Sequence, residues 1–259
     1  MKKLLIISII IVMAYSSIVN AQSSLEGGFL NMQNIKKSIS IENVSQIEAK
    51  FTIGRITIYE SNNEMIEITG SISGNSSKGI ELKKLGDTIY IKQKVGYFPI
   101  KVGITRIFIG IPVNYSNDLA IKQLTGKLTI KNIDIDTLNI NTSAATTLVD
   151  DILFENFNLK AGSASSNINL KRKSGNIFVN STIGRVNINI KEISGDINFE
   201  GGTMGGKLVI PKNAQVEIIN IGNKNCKINA HTSKKKNHRI IIKAGVGKIK
   251  VTDKEKINY

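Results

Sequence analysis

The residues of this chain that could do chemistry are few: two histidines, one cysteine and a small set of acids. His231 and His238 are a few residues apart with no acid beside either. A zinc site needs three or four His, Cys or carboxylate ligands at tight spacing, so both read as exposed loop histidines. Cys226 has no partner for an internal disulfide and lies in the alternating stretch Cys226-Lys227-Ile228, which reads as a buried structural thiol. Asp134, Asp136, Asp150 and Asp151 form the acid cluster worth weighing. Glycoside hydrolysis needs two carboxyl groups a few ångströms apart. Asp150 and Asp151 are adjacent, so on a strand they point to opposite faces. Asp134 and Asp136 share a face and could hold a cation. Turns favour Asp for local backbone reasons, and solubilising turn acids are the simpler reading. No serine sits in a nucleophile-elbow context. The stretch Gly201-Gly202-Thr203-Met204-Gly205-Gly206 lacks the lysine and helix of a phosphate loop and the aspartate of a calcium-binding β-roll repeat, and reads as a flexible corner. No catalytic, cofactor-binding or metal-binding residue is therefore assigned, and neither enzymatic activity nor a cofactor is expected.

The charge points elsewhere. The formal net charge is +15, which favours anionic partners. The densest basic clusters are Lys171-Arg172-Lys173 and Lys234-Lys235-Lys236 with Arg239. Both read as turns or loops, and solvated loop charge competes with a binding role. These seven residues are the candidate polyanion contacts. Sugar platforms need aromatics, yet the chain has no Trp, and Tyr59, Tyr90, Tyr97, Phe98 and Tyr115 do not cluster. Tyr97-Phe98-Pro99 reads as a small core plug.

The elements that would position these residues are strands. Helical patterns are absent, and period-two alternation recurs, the signature of half-buried strands. It runs through Ser38–Ile41, Ile47–Phe51, Ile56–Ile58, Ile66–Ile68, Ile89–Ile91 and Ile107–Ile111, up to Pro112. Beyond it, apolar–x–apolar triplets recur about every ten residues: Leu128–Ile130, Leu138–Ile140, Phe157–Leu159, Ile168–Leu170, Ile177–Val179, Val186–Ile188, Ile197–Phe199 and Leu208–Ile210. Leu148-Val149 is a weaker copy. A fixed short period argues for a stacked, quasi-one-dimensional structure. A glycine often stands two residues before the triplet, as in Gly54-Arg55-Ile56, Gly126-Lys127-Leu128, Gly175-Asn176-Ile177, Gly184-Arg185-Val186, Gly195-Asp196-Ile197, Gly206-Lys207-Leu208 and Gly247-Lys248-Ile249. A glycine takes positive φ without penalty and could turn a corner there.

Two architectures fit this period: an antiparallel meander of hairpins, and a solenoid in which each strand turns a corner and stacks on an earlier rung. Tight hairpins favour Asn-Gly or Asp-Gly, which do not join the second-half strands. Glycine at strand entrances favours the solenoid. In that geometry outward asparagines such as Asn139, Asn158, Asn169, Asn187 and Asn198 can bond along the stack. The fold class expected is all-β: a β-solenoid or β-helix-like stack of short strands with roughly ten-residue repeats, preceded by N-terminal strands of the same domain.

The N-terminus carries a basic pair, Lys2-Lys3, an apolar run from Leu4 to Tyr15 and Val19-Asn20-Ala21, the three-part pattern of a secretory signal peptide. Residues 1–21 are therefore expected to be removed and residues 22–37 to act as a linker. Residues 38–259 are expected to form one domain, with N-terminal strands 38–115, regular repeats 116–221 and a C-terminal cap 222–259. No later segment is long and apolar enough to span a bilayer as a helix.

With Gly54-Arg55-Ile56-Thr57-Ile58 after an early strand pair, Ile107-Phe108-Ile109-Gly110-Ile111-Pro112, and serial glycine–x–apolar–x–apolar copies ending at Gly247–Val251, the chain resembles the secreted bacterial "putative adhesin" family of β-strand repeats, a domain of unknown function. The resemblance spans about residues 38–251. It implies a β-helix-like fold and an exported location in the periplasm, at the cell surface or in the medium, and it carries no catalytic residues to transfer. The expected role is a non-enzymatic binding or structural module whose partner is an envelope component, a glycan or a host surface, with no specific nucleic-acid partner. A glycan-active β-helix enzyme and a polyanion-binding protein are the alternatives.

Overall fold

The computed structural model describes residues 32–73, 77–95 and 105–253. The signal-peptide reading and Tyr97-Phe98-Pro99 lie outside them. In chain order the strands are β1 (Met32–Ser40), β2 (Gln46–Ser61), β3 (Met65–Ser73), β4 (Ser77–Leu85), β5 (Thr88–Val95), β6 (Thr105–Pro112), β7 (Asp118–Lys131), β8 (Asp134–Asp150), β9 (Leu153–Ile193), β10 (Ile197–Ile210), β11 (Val216–Asn220), β12 (Lys227–Asn229), β13 (His238–Ala244) and β14 (Ile249–Asp253). No helix occurs among the described residues.

The fold is a β-solenoid with two strands per coil. Leu119 pairs with Leu138 and Leu138 with Phe157, all in parallel register. Ile177 pairs with Ile197 in the same way. Side chains one coil apart are separated by 19 or 20 residues of sequence. Ten-residue triplets therefore alternate between two sheets. Face one contains 46–51, 118–123, 138–142, 157–161, 177–181 and 197–201. Face two contains 55–61, 126–131, 146–150, 166–170, 186–190 and 206–210. A hairpin meander would pair residues 177–179 with 186–188; instead 177–179 pair with 197–199.

The inward residues of both faces form a single core. Leu128, Ile130, Ile168, Leu170, Val186, Ile188, Ile197 and Phe199 are all buried, as the alternation predicts. Parallel sheets normally have both faces covered. Here the outer face of each sheet meets solvent, and stacked polar side chains line it.

The corner glycines work in two ways. Gly126 has φ +109, and a Cβ there would lie 2.1 Å from the carbonyl oxygen of Gly54 on the next rung. The sequence reading expects positive φ at Gly175, Gly195 and Gly206 as well, and these three do not have it. They are small because a neighbouring backbone lies against them: a Cβ on Gly206 would fall 2.0 Å from the Val186 carbonyl oxygen. The stretch 201–206 is not a flexible corner either. β10 runs through it, and the Met204 side chain is fully buried. Cys226 is only partly buried, and that burial raises its thiol pKa.

The order of rungs in space departs from the order in sequence at both ends. The 46–61 coil is flanked by β5 and β6 on one side and by β7 on the other. Antiparallel β3, β4 and β1 close that end. At the opposite end β13 and β14 stack directly on β10, and β11 and β12 lie outside them. The last described strands are thus wedged between two earlier coils.

Candidate binding surface

The two clusters singled out in the sequence meet at one edge of the stack. Asp134 opens β8, Asp150 closes it, and Asp151 takes φ +53 in the turn that follows. Lys171, Arg172 and Lys173 lie within β9 rather than in a loop, one coil further on. The Arg172 guanidinium reaches Asp134 through Nη1 at 2.5 Å and Asp151 through Nε at 3.3 Å. Its Nη2 donates to the Asp151 carbonyl oxygen at 2.7 Å. Lys171 Nζ bonds Asp150 Oδ2 at 3.0 Å, and the Asn169 amide donates to Asp150 Oδ1 at 2.7 Å. Partial burial works to raise the Asp150 carboxyl, but the bonds from Lys171 and Asn169 and the nearby charges of Lys171 and Lys131 outweigh it and hold the pKa low. Single exposed ion pairs are worth about 0–1 kcal/mol. This network spends its charges on each other and ties successive coils together.

Asp134 and Asp136 do border a shared cleft of about 510 Å³, with Glu155 and Lys173. The Asp134 carboxylate is already bound by Arg172. Among the described residues no three His, Cys, Asp or Glu side chains converge as metal ligands.

The second basic cluster is dispersed. Lys234 and Lys235 are exposed in the segment joining β12 and β13. Lys236 Nζ donates to Thr232 Oγ1 at 2.6 Å, and Arg239 pairs with Asp196 at 3.2 Å. His231 Nδ1 lies 2.8 Å from Asp253 Oδ2, and the two hydrogen bonds from His231 lower the pKa of that carboxyl. Tyr115 is buried and donates its hydroxyl to the Asp118 carbonyl oxygen at 2.6 Å. Burial, followed by the charges of Asp118 and Asp136, pushes its pKa up.

Polar ladders run along the outer faces. Asn158 donates to Asn139 at 2.9 Å, Asn176 to Asn156 at 3.1 Å, Asn187 to Asn167 at 2.9 Å and Asn189 to Asn169 at 2.9 Å. One ladder is broken where Phe178 sits opposite Asn198. The result is a repeating surface of amides, hydroxyls and charges at the rung spacing of about 4.8 Å.

Sequence reasoning passed over a third set of cations. Arg55, Lys127, Arg185 and Lys248 each follow a positive-φ glycine: Gly54, Gly126, Gly184 and Gly247. A corner glycine followed by Arg or Lys was the available signal for this row on face two.

A stack of two-strand parallel coils with an uninterrupted core and ladders of polar side chains defines a β-solenoid protein by architecture. The Toastrack DUF4097 family model matches residues 44–210, and the chain belongs to that family. Among solved structures, a "putative adhesin" from Bacteroides fragilis aligns with TM-score 0.52 at 11% identity, covering 86% of this chain and 97% of that one. A "putative cell adhesion protein" from Clostridium sporogenes aligns with TM-score 0.43 at 15% identity, over 86% of this chain and 100% of that one. At 11% identity the likeness to the Bacteroides fragilis structure is one of fold. No curated protein matches the chain.

Proposed function

We propose that this chain is a non-enzymatic, exported module of the bacterial cell envelope that binds or scaffolds another envelope component, in the manner the word adhesin implies. The observation that carries the reading is the long repetitive polar surface: asparagine ladders and charge networks over a rigid apolar core, in which the most suggestive carboxylates are already engaged by Arg172 and Lys171. Stacked repeats present extended contact surfaces of this kind. The names carried by the Bacteroides fragilis and Clostridium sporogenes structures agree with the proposal. The secretory pattern of residues 1–21 supplies the route out of the cytoplasm.

The test uses protein beginning at Gln22, immobilised and exposed to envelope extract and to purified envelope glycans at two salt concentrations. Retention of a defined component without its cleavage is the expected result. Release of new reducing ends from a glycan would overturn the non-enzymatic reading. N-terminal sequencing of the natural protein should begin at Gln22, and an intact Met1 on cytosolic protein would overturn export.

A further inference from the structure

The outward residues of the two faces differ in how their charges are balanced. On face one, cations stand beside acids. Lys50 pairs with Glu48 at 2.9 Å, Arg239 with Asp196 at 3.2 Å and Lys243 with Glu200 at 3.3 Å, and Glu81 stands opposite Lys92 in register. On face two, between β6 and β12, the outward carboxylate is Asp150, and Lys171 and Asn169 already hold it.

Cations also stack on one another on face two, but without such acids, whereas the face-one stack of Lys92, Lys50 and Lys122 has Glu81 and Glu48 beside it. Arg106 pairs in register with Arg55, and Arg55 with Lys127, so three basic side chains follow each other on adjacent rungs. They border an open cleft of about 910 Å³ that also contains Phe108, Thr57 and Thr129 and no carboxylate. Phe108 is 38% exposed there, an aromatic ring left at the surface of a chain poor in aromatics. At the other end Lys207 pairs in register with Lys250, and Lys250 with Lys227. All three are exposed, and none has an ion-pair partner among the described residues. The amides of Asn167 and Asn187 continue that row toward the middle of the stack.

Like charges directly opposite one another across strands destabilise a sheet. Lysine on an edge strand deters edge-to-edge pairing, which accounts for Lys227 but not for Lys207 in an interior strand. Stacking at both ends of one face, without acids, is what an extended polyanion would relieve. Strands are about 4.8 Å apart, so a chain lying along the stack meets three cations on successive rungs at each end, with polar side chains between. Guanidinium groups match the planar or tetrahedral oxygens of carboxylate, sulfate and phosphate. Amide ladders and an exposed ring suit hydroxyls and the apolar face of a sugar. We propose that face two is the binding track for a linear anionic polysaccharide, engaged by Arg55, Arg106 and Lys127 at one end and by Lys207, Lys250 and Lys227 at the other. The proposal rests on the binding-module reading and names its ligand class and face.

The experiment measures binding of protein beginning at Gln22 to labelled dextran sulfate, with neutral dextran and phosphatidylglycerol vesicles as separate arms. Saturable binding to dextran sulfate alone is expected, weakening with salt because neutralised charges release counterions. Arg55→Gln with Arg106→Gln, and separately Lys207→Gln with Lys227→Gln and Lys250→Gln, should each weaken it by about tenfold and flatten the salt slope. The face-one set Lys92→Gln, Lys122→Gln and Lys160→Gln should change it less than about twofold. All these side chains are on the outside of strands, and unchanged circular dichroism checks folding. Equal loss from the face-one set would overturn the assignment, because only net charge would then matter. Tighter binding to the vesicles than to dextran sulfate, with the same lysine dependence, would overturn it in favour of a membrane surface. If an envelope ligand found by retention binds the face-two variants undiminished, the track is wrong while the binding-module reading stands.

Discussion

Asn158 donates a side-chain amide hydrogen bond to Oδ1 of Asn139 at 2.9 Å, across one full coil of the solenoid. Both residues point outward between buried neighbours, and their strands pair in parallel register. The bond exists only if every second triplet stacks on the same face. A net side-chain hydrogen bond is worth about 0.5–1.5 kcal/mol. Asn158→Ala should therefore lower unfolding stability by about that amount, measured in urea. A double-mutant cycle with Asn139→Ala should return a favourable coupling between the two. Zero coupling would mean that the amides face solvent independently.

Phe199 and Phe178 test the inward and outward assignment. Phe199 is buried in the core, whereas Phe178 is partly exposed on the outer surface opposite Asn198. Phe199→Ala should cost about 3–5 kcal/mol, the usual range for a buried phenyl ring. Phe178→Ala should cost clearly less. The reverse order in urea midpoints would place face one in the wrong register, since a slip of one residue exchanges the faces of every side chain.

Gly184 and Gly195 should both resist substitution, for different reasons. Gly184 has φ +141, and a Cβ there would fall 2.0 Å from the Ala164 carbonyl oxygen. Gly195 has no such backbone strain, yet its Cβ would fall 2.4 Å from the Gly175 carbonyl carbon. Gly184→Ala and Gly195→Ala are each expected to cost about 3 kcal/mol or more. A tolerated Gly195→Ala, with a midpoint near that of the wild type, would show that the rungs can part locally.

Much of this fold was legible in the chain. The inward residues and the stacking period follow from alternation and recurrence, as Leu138, Phe157, Ile177 and Ile197 show by lying on one face in successive coils. The order of rungs was not legible. Alternation tells which side of a strand is buried but is silent on which strand lies next to it. Ile197–Phe199 beside Ile240–Ile242 carries the same pattern as any other pair of triplets. The binding surface suffered most from this. Lys171–Lys173 and the aspartates looked like separate clusters, and only the coil length brings Arg172 to Asp134 and Asp151. Lys207, Lys250 and Lys227 look scattered until β14 is placed between β10 and β12. Motif alignment alone would set Lys207 beside Lys248, two residues from its register partner.

Acid should weaken the hold of Lys171 and Asn169 on Asp150 in a definite direction. The pKa of Asp150 lies below its ordinary value of 3.8 in the folded state. A group with a lowered folded pKa contributes stability that is fully present above the unfolded value and is lost as pH falls through the folded one. The stability difference between wild type and Asp150→Asn should be largest above about pH 5 and shrink toward about pH 2. Urea midpoints across that range provide the check. A difference independent of pH would mean that Lys171 and Asn169 do not favour the ionised carboxylate.

The wedged coil at the far end makes a prediction that runs against sequence position. β13 lies between β10 and β11, so its backbone groups have a neighbouring strand on each side. β11 precedes it in the chain but is paired only with β13 among the described strands, leaving alternate amides on its outer side without a ladder partner. The Ile221 amide, which donates to the Ile242 carbonyl oxygen at 2.8 Å, shows the bonded side. Ile240 and Ile242 are fully buried. Amide exchange reports the opening of such local units. Amides of 239–243 should therefore exchange at least about tenfold more slowly than the outward amides of 216–220, although they lie nearer the C-terminus. Hydrogen–deuterium exchange resolved by residue measures this directly. Faster exchange in 239–243 than in 216–220 would place β11, not β13, against β10 and remove the register that aligns Lys250 with Lys207.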